Sequence, residues 1–168
     1  PANIDLASTP RSDPAHGAPV ENLFAIRGDA GRHFAFAGHV DVVPPGAGWA
    51  SDPFVPVVKG DLLHGRGAVD MKGSIASFIA ALHSIPVDAG IISLIITGDE
   101  EGPAIYGTRA LIDHMQARGT LPDICVVGEP SSRQKLGDTM KIGRRGSVNM
   151  WLAVAATQGQ VGEPQHPE

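Results

Sequence analysis

The sequence predicts an α/β fold in which a mostly parallel, twisted sheet is flanked by helices. Apolar runs recur along the chain, and four of them lead into His39, Asp70, Glu101 and Glu129, which are spaced by 31, 31 and 28 residues. Each interval is about the length of one strand–helix–strand unit. The run Ile91–Thr97 is almost entirely apolar, which is typical of a strand buried on both faces of a parallel sheet.

The first part of the chain is predicted to form short strands. Residues 1–20 are rich in Pro, Ser, Asp and Gly and predict an irregular lead-in. Strands are expected over 22–27 and 33–38, on either side of a turn at 28–31, and a further strand over 62–66.

Apolar residues at helical spacing predict two helices in the second part of the chain. The first is expected over 72–85, where Pro86 ends it, and the second over 108–118, where Gly119 ends it. A buried strand over 123–127 follows the second helix.

Composition and charge restrict the classes of function. Hydrophobic residues make up 42% of the 168 residues and charged ones 18%, which is typical of a globular chain, and the net charge of −5 disfavours nucleic acid or an anionic membrane as a partner. No apolar run reaches the roughly 18 residues that span a bilayer. The lone Cys125 excludes an intramolecular disulfide and is predicted to be a buried strand residue. It fits a reducing compartment, and we expect a cytoplasmic protein.

The residues at the ends of the apolar runs predict a metal site. In open α/β sheets, ligands gather at the carboxyl ends of the strands, so we expect four strand ends to meet at one crevice. A His with several carboxylates is a ligand set for a divalent ion. Each residue alone also has a structural interpretation. His39 would be a surface His, Asp70 a helix cap, the acidic run at Glu101 a solvated loop, and Glu129 a turn carboxylate.

Neighbouring residues suggest divided roles within that site. Asp41 lies two residues after His39, on the same face of an extended strand, and its carboxylate can accept the second ring N–H. Of Glu100 and Glu101, one can bind a metal while the other takes a proton from the metal's water. Arg144 is suited to bidentate recognition of a substrate carboxylate, with an exposed basic turn as the alternative.

Five ordered segments resemble a known family. Residues 38–46, 65–73 and 97–102 resemble the dinuclear zinc aminoacylase/carboxypeptidase family, and residues 128–132 and 137–147 are similar to its desuccinylase branch. The resemblance extends from about Val20 to Gly159. It implies a zinc exopeptidase-like catalytic domain.

The resemblance also implies a role for each candidate ligand. His39 and Glu129 are implied as ligands of a first zinc, and Glu101 as a ligand of a second. Asp70 is implied to bridge both ions, with a cis peptide bond to the next residue, while Asp41 orients the His39 ring. Co²⁺ is a second candidate ion.

The implied reaction is hydrolysis of N-succinyl-LL-diaminopimelate to succinate and LL-diaminopimelate, in lysine and diaminopimelate biosynthesis. Glu100 is implied as the general base, while Lys141, Arg144 and Ser147 hold the carboxylates of this small-molecule substrate. Full-length members are expected to be homodimers. Hydrolysis of another N-acyl amino acid, as by an acetylornithine deacetylase or an aminoacylase, stays an alternative.

The end of the chain departs from the family pattern. Residues 1–146 are expected to form a partial catalytic domain, and residues 147–168 the start of a lid or dimerisation domain that diverges from about Gln160, where the family has a His. The family's further His ligand for the second zinc has no match either. The sequence also lacks an initiator Met, so we expect a processed product or a fragment, and the divergent tail favours a truncated chain. A catalytically silent metal-binding domain is the remaining alternative.

Overall fold

The computed structural model describes residues 5–8 and 19–143, together with residues 146, 148 and 150–152. It confirms the α/β class, with a five-stranded sheet, a separate two-stranded hairpin and two regular helices in the described part of the chain. The strands are β1 (Asp5–Ser8), β2 (Leu23–Arg27), β3 (His33–His39), β4 (Val57–Lys59), β5 (Leu62–His64), β6 (Ile91–Thr97) and β7 (Ile124–Val127); the helices are α1 (Gly73–Leu82) and α2 (Thr108–Arg118).

The large sheet is mixed, with the strand order β1-β2-β6-β3-β7. β3 lies parallel to both β6 and β7, whereas β1 pairs with β2, and β2 with β6, in antiparallel fashion. The strands β2 and β3 are neighbours in sequence, yet β6 lies between them. The parallel half of the sheet is the half that carries the candidate site.

The sheet is covered by one helix on each face. On one face, Phe24, Ala35 and Ile95 pack against Leu111 and Met115 of α2, and all five side chains are buried. Because successive strand residues point to opposite faces, Phe36 faces the other way. Its ring stacks on that of Phe78 of α1, with centroids 4.5 Å apart. Burial on both faces explains why β6 is almost entirely apolar.

Most predicted elements are present, with small differences in their bounds. The helix expected over 72–85 ends at Leu82, three residues before Ile85. The strand expected over 62–66 ends at His64 and pairs with β4, which the sequence did not predict because Val57–Lys59 is too short to show a period.

The prediction that Cys125 is buried is wrong. Cys125 is exposed, as are all four residues of β7. β7 is the edge strand next to β3, and neither α1 nor α2 covers it in the described part of the chain. The apolar run at 124–127 therefore predicted the strand correctly but did not predict its exposure.

The chain divides into two compact units, Pro1–Ser131 and Ser132–Glu168. The described start of the second unit is a turn in which the Asp138 carboxylate accepts the backbone N–H groups of Arg133, Gln134 and Lys135 at 2.8–3.0 Å. These hydrogen bonds hold the pKa of Asp138 well below its usual range. No helix among the described residues is long and apolar enough to cross a membrane. The expected domain boundary near residue 146 stays a prediction.

Candidate metal centre

Three parallel strands end at one edge of the sheet and bring the candidate residues to it. β3 ends at His39, β6 ends at Thr97 just before Glu100 and Glu101, and β7 ends two residues before Glu129. Strands that run in the same direction present their carboxyl ends at the same edge, where ligands of α/β proteins bind. The fold therefore brings together residues that lie up to 90 positions apart in sequence.

Asp70 reaches this edge by a different route from the one expected. It lies in a short kinked helical segment, Ala68–Lys72, and not at the end of a strand of the large sheet. Gly67, with a φ of 80°, precedes the segment, and the Asp70–Met71 peptide bond is cis, as the family resemblance implied. Lys72 is the residue before α1, and no side chain of the residues that the structure describes caps the start of that helix. The interpretation of Asp70 as a helix cap is therefore wrong.

His39 is the centre of the cluster, with a side chain only 2% exposed. Its Nε2 lies 3.0 Å from Oδ1 of Asp70 and 3.6 Å from Oε1 of Glu129. On the other side of the ring, Nδ1 lies 2.9 Å from the backbone carbonyl oxygen of Asp41. A carbonyl only accepts, so Nδ1 carries the proton, and in the neutral ring the Nε2 lone pair points at two carboxylates. A cation between these three groups would satisfy all of them.

Asp41 acts differently from the expectation that its carboxylate accepts the ring N–H. The carboxylate oxygen Oδ1 lies 3.6 Å from Nδ1 of His39, farther than the Asp41 carbonyl. The other oxygen, Oδ2, accepts the backbone N–H groups of Glu100 at 2.9 Å and Glu101 at 2.8 Å. Asp41 therefore connects the end of β3 with the acidic run after β6.

Two sets of three ligand atoms could each hold a metal ion. One consists of His39, Glu100 and Glu129, and the other of His39, Asp70 and Glu101, with the atoms of each set within 4.8 Å of one another. Imidazole and carboxylate groups are the donors that zinc and related divalent ions accept. The geometry thus fits a divalent ion, and His39 belongs to both sets.

The electrostatics of the cluster favour an added positive charge. Burial alone lowers the pKa of His39, but the Asp41 carbonyl, Asp70 and the charges of Glu129 and Glu100 outweigh it, so the pKa is raised. Burial and the negative charge of Asp70 raise the pKa of Glu129. The negative groups around the imidazole contribute to both pKa shifts. A bound cation would remove the repulsion.

Two residues that support the site were quoted in the sequence motifs but given no role there. The backbone N–H of His39 donates to Sδ of the fully buried Met71 at 3.3 Å. Nζ of Lys72 donates to the carbonyl oxygen of Val40 at 2.7 Å. Both residues follow Asp70 directly in sequence. This adjacency to a candidate ligand was the sequence signal that could have indicated their contacts with the end of β3.

The structure does not test the expected roles of the substrate-binding residues. Lys141 belongs to the second compact unit. Arg144 and Ser147 fall outside the described residues, as does Gln160. Their expected roles stay predictions.

A family model described as peptidase family M20/M25/M40 matches residues 35–163 of the chain. The chain is also similar to two bacterial proteins named succinyl-diaminopimelate desuccinylase. It is 69% identical over 150 residues to that of Rhizorhabdus wittichii and 67% identical over 147 residues to that of Sphingopyxis alaskensis. These alignments cover 89% and 87% of this chain but only 40% and 39% of the relatives, so the chain spans about two fifths of their length.

Among solved structures, human carnosine dipeptidase 1 matches with a TM-score of 0.64 and 27% sequence identity. The match covers 77% of this chain and 30% of that protein. The similarity supports the α/β arrangement independently of the two bacterial relatives.

Proposed function

The chain belongs to peptidase family M20/M25/M40, and from this premise we propose that its His39 cluster is the metal centre of an amide hydrolase acting on N-succinyl-LL-diaminopimelate. The observation that carries the proposal is the arrangement around His39 Nε2, which faces Asp70 and Glu129. Glu100 and Glu101 stand at the same edge. The substrate is suggested by the two bacterial relatives, both of which are named succinyl-diaminopimelate desuccinylase.

The chain supplies both ligands and a base in this proposal. His39, Asp70, Glu101 and Glu129 would hold the metal, with zinc proposed first and Co²⁺ as the second candidate. A bound divalent ion supplies Lewis acidity, which lowers the pKa of water and polarises an amide carbonyl. Glu100 accepts a proton from the attacking water at its carboxylate and delivers it to the nitrogen of the leaving amine. The products are succinate and LL-diaminopimelate.

Asp41 prepares these groups for their tasks. Its carbonyl holds the proton of His39 on Nδ1, which leaves Nε2 free to bind an ion. Its carboxylate fixes the backbone of Glu100 and Glu101. One residue thus sets both the tautomer of a ligand and the position of the base.

The finer features of the proposal come from the family resemblance. Lys141, Arg144 and Ser147 would hold the carboxylates of the substrate. Residues 1–146 would belong to the catalytic domain and 147–168 to the start of a lid or dimerisation domain of a homodimer. The reaction would serve lysine and diaminopimelate biosynthesis in the cytoplasm.

The test is hydrolysis of N-succinyl-LL-diaminopimelate by the purified chain with added Zn²⁺. We expect Glu100→Gln to lower the rate by about 10²- to 10⁴-fold, the usual contribution of a general base, while zinc binding persists. Asp88→Asn, which changes an exposed acid on the turn before β6, is the matched control and should retain the rate.

Three other outcomes of this test would each contradict a different part of the proposal. Faster turnover of N-acetylornithine than of the succinyl substrate would replace the proposed substrate. A folded, zinc-bound chain that hydrolyses neither compound would contradict the proposed activity and favour the silent metal-binding domain. A Glu100→Gln variant as active as the parent would remove Glu100 from the mechanism.

A further inference from the structure

Asp99 differs from the two acids that follow it in what its side chain contacts. It is only 6% exposed, and it belongs to neither of the two candidate ligand sets. Its carboxylate accepts three backbone N–H groups. That of Ala104 reaches Oδ1 at 3.2 Å, and those of Ile105 and Tyr106 both reach Oδ2 at 2.9 Å. A carboxylate that already accepts three hydrogen bonds has few lone pairs left for a metal.

These contacts close the segment between β6 and α2 into a compact loop. The backbone N–H of Asp99 donates to Oγ1 of Thr97 at 3.1 Å, which fixes the start of the loop. Gly107 ends it, and a Cβ there would lie 2.8 Å from the carbonyl oxygen of Asp99. The close approach leaves no room for a side chain at Gly107.

A second polar residue connects the two ends of the same loop. Asn22, only 3% exposed, accepts the backbone N–H of Gly98 through Oδ1 at 3.2 Å and donates through Nδ2 to the carbonyl oxygen of Tyr106 at 2.8 Å. The loop is therefore held both across its ends and from within.

We propose that Asp99 is a positioning residue that sets where Glu100 and Glu101 stand at the metal centre. Glu100 and Glu101 are held on one side by Asp41, through their backbone N–H groups. Asp99 holds the other side of the same loop. The acidic pair therefore lies between two carboxylates, those of Asp41 and Asp99, which belong to neither candidate ligand set. The role assigned to the pair rests on the proposed function, whereas the loop contacts do not.

The first measurement is hydrogen exchange on the unchanged chain. The amides of Ala104, Ile105 and Tyr106 should exchange at least about tenfold more slowly than unstructured amides, although they lie in a loop. In Asp99→Asn, an amide group can accept from only one side, so at least one of the three amides should lose protection. Exchange at the unstructured rate in the parent chain would overturn the proposal without any variant.

The second measurement separates positioning from plain stability. Groups that support metal ligands from behind typically affect affinity or activity by about 10- to 100-fold. We expect Asp99→Asn to weaken Zn²⁺ binding in calorimetry by a factor in that range and to lower kcat more than it raises KM. Asp88→Asn, which also removes one negative charge, should change neither.

The two measurements distinguish failure of this proposal from failure of the proposed function. If the parent chain binds Zn²⁺ but hydrolyses nothing, the calorimetric comparison still decides the role of Asp99. If Asp99→Asn lowers the thermal midpoint but leaves zinc affinity and kcat unchanged, Asp99 is only a structural residue and the proposal is overturned.

Discussion

Met71 contacts the backbone of His39, whose N–H donates to the Met71 sulfur at 3.3 Å. Two glycines make room for the Met71 side chain, because a Cβ at Gly38 would lie 2.7 Å from its Cε and one at Gly128 would lie 3.0 Å from it. Met71 therefore fills the space between the ends of β3 and β7, from which His39 and Glu129 emerge. The edge of the sheet that carries the candidate metal centre therefore packs against one flexible apolar side chain.

Replacing Met71 should test that support. Because Met71 is fully buried, Met71→Ala should destabilise the chain by about 2–5 kcal/mol, the usual cost of truncating a buried Met. Met71→Leu keeps the volume and should cost less than about 1.5 kcal/mol. Urea denaturation measures both. Equal midpoints for the parent and Met71→Ala would show that the site does not rest on this side chain.

Gly128 should tolerate no side chain. A Cβ there would lie 2.2 Å from Cζ of Phe36 and 3.0 Å from Cε of Met71. We expect Gly128→Ala to cost about 1–3 kcal/mol, as is typical of overpacking. Gly143→Ala is the matched control, since a Cβ at Gly143 meets nothing within 4 Å and its φ is not left-handed. Thermal denaturation of the two variants gives the comparison, and similar midpoints would contradict the close contact.

Both candidate ligand sets depend on the same imidazole, so zinc should bind unequally. His39 Nε2 has one lone pair and can serve one ion at a time. We expect calorimetric titration to show one tight Zn²⁺ equivalent per chain and a distinctly weaker second one. His39→Gln should remove the tight phase. Two equally tight equivalents would mean that a second nitrogen or further carboxylates complete another site.

Asp41 should matter through its hydrogen bonds. Asp41→Ala leaves the backbone N–H groups of Glu100 and Glu101 without their acceptor, and we expect zinc affinity to fall by about 10- to 100-fold. Asp41→Asn retains one carbonyl oxygen that can accept both N–H groups, so its loss should be smaller. If the two variants lose affinity equally, the charge of Asp41 matters more than its hydrogen bonds.

His33 should make stability depend on pH. Burial lowers the pKa of His33 from its ordinary value of 6.5, and the Leu121 carbonyl and Asp123 only partly oppose it. Below pH 6.5 the unfolded chain therefore binds a proton more readily than the folded chain does. The stability that His33 contributes is complete above about 6.5 and is lost as the pH falls from there through the folded pKa.

The comparison with His33→Gln isolates this contribution. The free energy of unfolding of the parent, measured by urea at several pH values, should fall more steeply below pH 6.5 than that of the variant. Parallel curves would mean that protonation of His33, whose Nε2 lies 2.9 Å from Oγ of Ser93, costs the folded chain nothing.

Local sequence patterns were sufficient for much of the secondary structure. The predicted bounds of β6 and α2 agree with those in the structure, because an apolar run and a helical period are properties of a continuous segment. Local patterns could not predict the exposure of Cys125 or the pairing of β2 with β6. Both depend on which strand lies at the edge of the sheet and which lies at its centre.

The same limit applies within the site. The sequence by itself determined that His39, Glu100, Glu101 and Glu129 lie at or just after the ends of strands. The carboxyl ends of these strands meet because parallel strands share an edge. Only the tertiary structure decided that the Asp99 carboxylate accepts hydrogen bonds from its own loop. It also decided that the Asp41 carboxylate accepts the backbone N–H of Glu100, 59 positions away, while the Asp41 carbonyl contacts His39. Three adjacent acids look alike in sequence. Their roles separate because each carboxylate takes the hydrogen-bond donors that packing brings within about 3 Å of it.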